Sequence, residues 1–291
     1  MNYLTGLIVK AISGFYYIEA ADTLYECKAR GVFRKRGITP SVGDRAEITV
    51  LNEDEKTASL ENILPRKNTL IRPPLANLDR LFIVSSLSEP APNTLIIDKI
   101  TAVAVEKGIE PIAVFTKSDL ADPTELLDIY HQAGITALSY SIHSTQDREV
   151  LISLLKDKIS AFTGNTGVGK SSLLNSLFPE LAIETAAISR KLGRGRHTTR
   201  HVELFRMEFG GMVFDTPGFT SFDIPDIQPE ELAELYPDLY RYADQCRFKG
   251  CLHDQEPECS VQAAVERGDI HTLRYKSYKE QLELLKSNRK Y

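Results

Sequence analysis

The sequence predicts a multidomain chain: a small N-terminal β-barrel, a central α/β domain and a C-terminal α-helical segment organised by a metal. Three observations predict it. Short strand-like stretches follow one another closely from residue 5 to residue 63. Strand and helix patterns then alternate from residue 81 to residue 163. Three cysteines and a histidine crowd together between residues 246 and 259. The length of 291 residues agrees with two or three domains. Hydrophobic residues make up 42% and charged residues 26%, enough apolar material for a sizeable core.

Residues 1–65 carry the first domain. Thr5 to Ala20 is rich in β-branched and aromatic residues with a break at Gly14, and Thr23–Ala29, Arg45–Leu51 and Thr57–Ile63 continue the pattern. Strands this short and this closely spaced suit a small barrel, and an OB-like fold is expected. Lys28 to Arg36 holds five cations and no acid. It is either a solvated basic loop or an RNA contact, and the segment alone does not choose. Cys27 lies in a strand pattern and reads as a small buried residue.

Arg66 to Pro74, with Pro73-Pro74, reads as a linker into a second domain over 66–222. Strands are expected at Leu81–Ser85, Ile112–Thr116, Thr136–Tyr140 and Ser160–Thr163. Helices are expected at Thr94–Lys107, Thr124–Gln132, Asp147–Lys156 and from Gly169. That alternation argues for a parallel sheet covered on both faces. Val202–Phe209 and Met212–Phe214, separated by Gly210-Gly211, read as a hairpin. Residues 223–291 are polar and helical around the cysteine cluster, and end in a helix from Leu273 to Lys286.

The strand at Ser160–Thr163 runs into Gly164-Asn165-Thr166-Gly167-Val168-Gly169-Lys170-Ser171, followed by Ser172. This fits the phosphate-loop pattern G-x-x-x-x-G-K-[ST] in its required strand-to-helix setting. Glycines let successive N–H groups point into one concavity, and the helix N-terminus adds positive potential. Lys170 can reach the β and γ phosphates, and the Ser171 hydroxyl can ligate Mg²⁺. The bland alternative is a glycine-rich turn that happens to precede Lys-Ser.

Thr116-Lys117-Ser118-Asp119 selects the base. A carboxylate at Asp119 accepts two hydrogen bonds from guanine N1–H and N2–H₂, a pair that adenine does not offer. Thr116 stands where such motifs usually carry Asn. Ser141, after the strand Thr136–Tyr140, sits where a guanine O6 contact is expected, with Ile142 in place of the usual Ala. Asp215-Thr216-Pro217-Gly218 matches D-x-x-G: Asp215 acts on Mg²⁺ through water and the Gly218 N–H senses the γ phosphate. Of Thr198 and Thr199, Thr199 is the favoured Mg²⁺-contacting switch residue. The α/β domain is therefore expected to be a P-loop GTPase domain. Its base-reading motifs precede its phosphate loop, so it is circularly permuted. Phe219 follows D-x-x-G where many GTPases place a water-orienting glutamine, and His197 is the candidate for that task. A solvated loop histidine is the equal alternative.

Cys246-x₄-Cys251-x-His253-x₅-Cys259 supplies a closed Cys₃His set suited to structural Zn²⁺. Reduced cysteines clustered by chance are the alternative. Met1 to Thr5 lacks a basic stretch ahead of an apolar one, and no apolar run approaches the roughly 18 residues of a membrane span. A cytoplasmic location without membrane contact is expected. The net charge of −5 excludes a global electrostatic case for nucleic-acid binding and leaves local patches. One is Lys28–Arg36; the other is Arg190–Arg200, with five cations and no acid.

Taken together, GNTGVGKSS (164–172), GRGRHTT (193–199), DTPG (215–218) and CRFKGCLHDQEPEC (246–259) resemble the ribosome small-subunit-dependent GTPase A family, RsgA, also called YjeQ or YloQ. The resemblance covers the whole chain. It implies a GTPase that binds the small ribosomal subunit late in its maturation and hydrolyses slowly until that subunit stimulates it. It further implies an OB domain on ribosomal RNA and a catalytic role for His197. GTP and GDP are the expected ligands, guanosine tetraphosphate alarmones plausible competitors, and a monomer the expected state. A passive RNA-binding assembly protein, a GTPase unrelated to ribosomes, and an ATPase are the competing readings. Asp119 disfavours the last.

Overall fold

Alternation of buried and exposed side chains closes the first five strands into a barrel. They are β1 (Tyr3–Ile12), β2 (Phe15–Ala20), β3 (Thr23–Ala29), β4 (Arg45–Asn52) and β5 (Thr57–Ile63). The order is β1-β2-β3-β5-β4, and β4 pairs back onto β1. β3 and β5 run parallel, while the other barrel pairs are antiparallel. Inward positions Ile8, Ile18, Cys27, Ala46, Ile48 and Leu60 are fully buried, and each large aliphatic contributes about 1.5–3 kcal/mol. The break expected at Gly14 is the β1–β2 turn: Ser13 and Gly14 both take positive φ, 50° and 87°.

This computed structural model describes residues 3–31, 33, 37–71, 73–179, 202–215 and 227–288. It divides into two units: the described residues of 1–80, 151–162 and 202–215, and those of 81–150, 163–179 and 227–288.

In the first unit the described residues of Arg66–Pro74, expected as a linker, make specific contacts. β6 (Thr69–Leu70) pairs with β7 (Leu75–Ala76) as a short hairpin. Arg66 grips the fully buried Asp44 through Nε and Nη2, at 2.7 and 2.8 Å. Asn68 and Leu78 exchange two further hydrogen bonds at 2.8 and 2.9 Å. Asn68 and Pro73-Pro74 suggested a linker here because they could not reveal partners far along the chain. β11 (Ile159–Thr163), β13 (Met212–Asp215) and β12 (Glu203–Arg206) extend the sheet to β1. The β12–β13 hairpin is shorter than Val202–Phe209 suggested, because Met207 to Gly211 form its turn through the bonds Gly210 N–H to Met207 O and Met207 N–H to Gly211 O.

In the second unit, β8 (Arg80–Ser86), β9 (Glu110–Thr116) and β10 (Thr136–Tyr140) lie side by side, β9 and β10 in parallel. Phe82, Ile112, Ala113, Val114 and Phe115 are fully buried, as a doubly covered sheet demands. α1 (Thr94–Glu106), α2 (Thr124–Gln132), α3 (Thr145–Leu155) and α4 (Lys170–Leu177) alternate with the strands. Asn93 caps α1 by accepting the Ile96 N–H at 3.2 Å. The C-terminal part adds a 3₁₀ helix (Pro229–Leu235), α5 (Pro237–Ala243), α6 (Ser260–Glu266) and α7 (Thr272–Asn288). No helix among the described residues is long and apolar enough to cross a membrane.

Candidate nucleotide site and metal cluster

The phosphate loop follows β11 and opens α4. Gly164 passes so close to β8 that a Cβ would sit 2.3 Å from the Val84 carbonyl. Only glycine permits this approach. Gly167 and Gly169 take positive φ, 87° and 88°. Gly169 is the N-cap of α4 and supplies no side-chain bond, so the first-turn N–H groups remain open to an anion. Asn165, Thr166 and Gly167 are exposed, whereas Val168 is buried and anchors the loop. Lys170 and Ser171 begin the helix half-exposed, and Ser172 is exposed.

The base-reading segment lies against this loop within the same unit. Thr116 ends β9 and is 4% exposed, so its hydroxyl meets protein and not solvent. It donates to the Val168 carbonyl, with the Ser85 carbonyl at 3.1 Å as a second acceptor. Lys117 has φ 62°, and its ammonium donates to the Glu89 carbonyl and, at 3.2 Å, to the Gly167 carbonyl. Its stem thereby runs beside the phosphate loop, where a base would lie on it. Ser118 N–H approaches the Tyr140 carbonyl at 3.5 Å.

Parallel pairing of Thr116 with Tyr140 puts the loops after β9 and β10 side by side. Across them the Ser141 hydroxyl donates to Asp119 Oδ1 at 3.2 Å. The Ser141 N–H donates to Asp147 at 2.8 Å, fixing the turn, and the His143 N–H donates back to the Ser141 hydroxyl at 3.2 Å. Asp119 is exposed, with a second carboxylate oxygen left for a ligand, and Ile142 is exposed at the rim. Thr116, Lys117, Asp119, Ser141 and the loop 164–171 are therefore brought together from 56 residues of sequence in permuted order. Asp215 ends β13, paired with Glu203. His197, Thr199, Gly218 and the basic stretch Arg190–Arg200 lie outside the described residues.

The metal cluster is assembled in the same unit. One donor atom from each of Cys246, Cys251, His253 and Cys259 lies within 4.8 Å of the others. Cys246 Sγ and Cys259 Sγ stand 3.5 and 3.4 Å from His253 Nδ1, and 3.8 Å from each other. Tetrahedral Zn²⁺ with ordinary bond lengths requires donor separations of about 3.5–3.8 Å, so this set fits the ion. Glu256 organises the loop by accepting the N–H groups of Leu252 and Asp254, both at 2.9 Å. Burial alone would raise its carboxyl pKa, but those bonds more than offset that and hold it at about 2. From α7, the Tyr275 hydroxyl donates to the His253 carbonyl at 2.7 Å and the Tyr278 hydroxyl to the Leu252 carbonyl at 2.8 Å.

One cluster was not anticipated from sequence. Arg274 of α7 is buried, and donates to Asp98 of α1 and, at 3.0 and 3.1 Å, to Asp238 of α5. Its guanidinium lies over the Tyr236 ring at 4.7 Å and the Tyr130 ring at 5.8 Å. Burial alone would lower its pKa, but the two carboxylates more than offset this and hold it above its ordinary value. The available signal was Asp98 in the otherwise apolar face of α1, Thr94-Leu-Ile-Ile-Asp98-Lys-Ile. Of the basic segment 28–36, Arg30 pairs with Glu61 and Lys28 lies over the Phe15 ring at 5.0 Å, while Arg34, Lys35 and Arg36 lie outside the described residues.

Comparison with known proteins decides the family. The family model for RsgA GTPase matches residues 63–225, and that for the RsgA N-terminal domain matches residues 5–57. The chain belongs to the RsgA GTPase family. It is a GTPase. Similar relatives include "Small ribosomal subunit biogenesis GTPase RsgA" of Alkaliphilus metalliredigens, 41% identical with 98% of this chain and 99% of the relative covered. The protein of the same name from Caldanaerobacter subterraneus subsp. tengcongensis is 44% identical, with 100% and 98% covered. Among solved structures, YjeQ from Thermotoga maritima has a TM-score of 0.82 at 35% identity, covering 98% of this chain and 99% of that one. YloQ, described as a circularly permuted GTPase, has a TM-score of 0.80 at 36% identity, covering 99% and 96%. In this RsgA-family chain the permutation noted in the motif order is thus a property of the fold, with an N-terminal five-stranded barrel preceding it.

Proposed function

We propose that this RsgA-family GTPase acts in late maturation of the small (30S) ribosomal subunit, hydrolysing GTP to GDP and phosphate when that subunit stimulates it. The observation that carries the reading is the meeting of Asp119 and Ser141 beside a phosphate loop tied to Thr116, in a chain matched end to end by relatives named for small-subunit biogenesis.

In this reading Asp119 accepts guanine N1–H and N2–H₂, Ser141 holds the base edge and Asp119 in register, and the stem of Lys117 covers a base face. Main-chain N–H groups of residues 164–172 and the Lys170 ammonium hold the phosphates. Ser171, Thr199 and, through water, Asp215 would hold Mg²⁺, which when bound neutralises charge on the β and γ phosphates. His197 positions a water for attack on the γ phosphorus while the bond from that phosphorus to the bridging oxygen breaks and GDP leaves. The Gly218 N–H senses the γ phosphate. Residues 1–65 act as an OB domain on ribosomal RNA, 66–222 as the GTPase domain and 223–291 as a domain whose Cys₃His set holds one structural Zn²⁺. The protein works as a cytoplasmic monomer, and guanosine tetraphosphate competes for the guanine and phosphate contacts.

The test is GTP turnover with and without purified small subunits, with Asp119→Ala as control. Stimulation that the variant loses is the expected result. Intact GTP binding with no stimulation would overturn the ribosomal part.

A further inference from the structure

A cleft of about 440 Å³ opens in the first unit, and none of the residues assigned to the sites above lines it. Three cations separated widely in sequence converge on it. Arg45 begins β4 opposite Leu7 of β1, Lys158 immediately precedes β11, and Arg206 ends β12. Arg45 and Lys158 have no ion-pair partner among the described residues. Arg206 places Nε and Nη2 on a single oxygen of Glu19, at 3.2 and 2.9 Å, which leaves Nη1 for another acceptor on a side chain 62% exposed.

The backbone beneath is fixed. The Lys158 carbonyl accepts the Met212 N–H at 2.8 Å, and its N–H donates to the Leu155 carbonyl at 3.2 Å. At Gly211 a Cβ would lie 2.3 Å from the Leu155 carbonyl, so main chain forms the wall there and leaves the cleft open. Asp157 stands exposed beside Lys158 with φ 57°. On a chain of net charge −5, such a local meeting of cations on a rigid frame is what a polyanion would read.

We propose that this cleft binds the phosphodiester backbone of RNA, with Arg45, Lys158 and Arg206 on successive phosphates. The Asp157 carboxylate, which would repel a phosphate oxygen, accepts a ribose 2′-hydroxyl, the group that separates RNA from DNA. The proposal rests on the ribosomal reading above and adds a contact from residues that no motif marks.

The experiment compares wild type with Arg45→Gln/Lys158→Gln for binding to small ribosomal subunits over a salt series. The charge-keeping pair Arg45→Lys/Lys158→Arg and basal GTP turnover of the free protein serve as controls for folding. The expected result is about tenfold weaker binding at low salt and a slope of log affinity on log salt shallower by about one to two, with the charge-keeping pair close to wild type. Unchanged affinity and slope, while wild type binds, would overturn the cleft and leave the ribosomal reading standing. Weaker binding with an unchanged slope would assign the contact to a ribosomal protein and overturn RNA as the ligand. Failure of wild type itself to bind would overturn the ribosomal reading, and the cleft with it.

Discussion

The Thr116 hydroxyl donates to the main-chain carbonyl of Val168, so the loop that reads the base is tied directly to the loop that holds phosphate. One hydroxyl proton serves two carbonyls, Val168 and Ser85, both in the buried wall of the site. Asparagine, the usual residue of such motifs, would bring two amide protons to the same place. Thr116→Val keeps the shape and removes the proton. A fluorescent GDP titration should show about tenfold weaker binding, in line with roughly 1–1.5 kcal/mol for a lost buried hydrogen bond. Thr116→Asn should stay within a few fold of wild type.

Asp119 is exposed, with one oxygen engaged by Ser141. Asp119→Asn exchanges an acceptor for a donor opposite guanine N2–H₂. Guanine affinity should fall by about a hundredfold or more, and xanthine nucleotide, which presents an oxygen at that position, should gain. Competition between GTP and XTP measures this directly. Equal loss for both would mean the carboxylate does not face the base.

Breaking the Arg274 cluster should be costly. Arg274→Met leaves Asp98 and Asp238 buried without their cation, a change worth about 3–5 kcal/mol. Urea unfolding followed by fluorescence of the 12 tyrosines reports it. Adding Asp98→Asn to Arg274→Met should recover part of the loss, because one unpaired charge is then gone.

Metal content gives a separate check. Elemental analysis should find one zinc per chain, lost in Cys251→Ser. Metal-free protein should unfold several degrees lower, since the knuckle between Cys246 and Cys259 has little apolar material of its own. Retained nucleotide binding after zinc removal is expected, as none of the four ligands belongs to the nucleotide site.

Cys27 should resist alkylation. Burial, with the nearby Glu26 charge, pushes its thiol up to about 12. A raised thiol pKa leaves a thiolate fraction of about one in ten thousand at pH 8. Mass spectrometry after iodoacetamide treatment should show Cys27 unmodified in folded protein at pH 8 and modified once the chain is unfolded in urea. Labelling of folded protein should increase as pH climbs towards 12.

Much of this molecule is legible without coordinates, for a physical reason. The barrel strands, the alternating strands and helices, the phosphate loop and the Cys₃His spacing are all local: side-chain periodicity, glycine punctuation and ligand spacing act within a few residues. Local pattern also placed Thr116 at the end of β9 and Asp119 in the loop that follows. The tertiary structure decided what needs residues distant in sequence. It gave the Thr116 hydroxyl to Val168 across 52 residues, joined Asp98 to Arg274 across 176, and turned the apparent linker at Arg66 into a clasp on Asp44. It also gathered Arg45, Lys158 and Arg206, which belong to no motif, around one cleft. Such contacts leave no local signature, because one charged or hydroxyl side chain looks the same in sequence whether it meets water or a buried partner; only the folded chain supplies that partner.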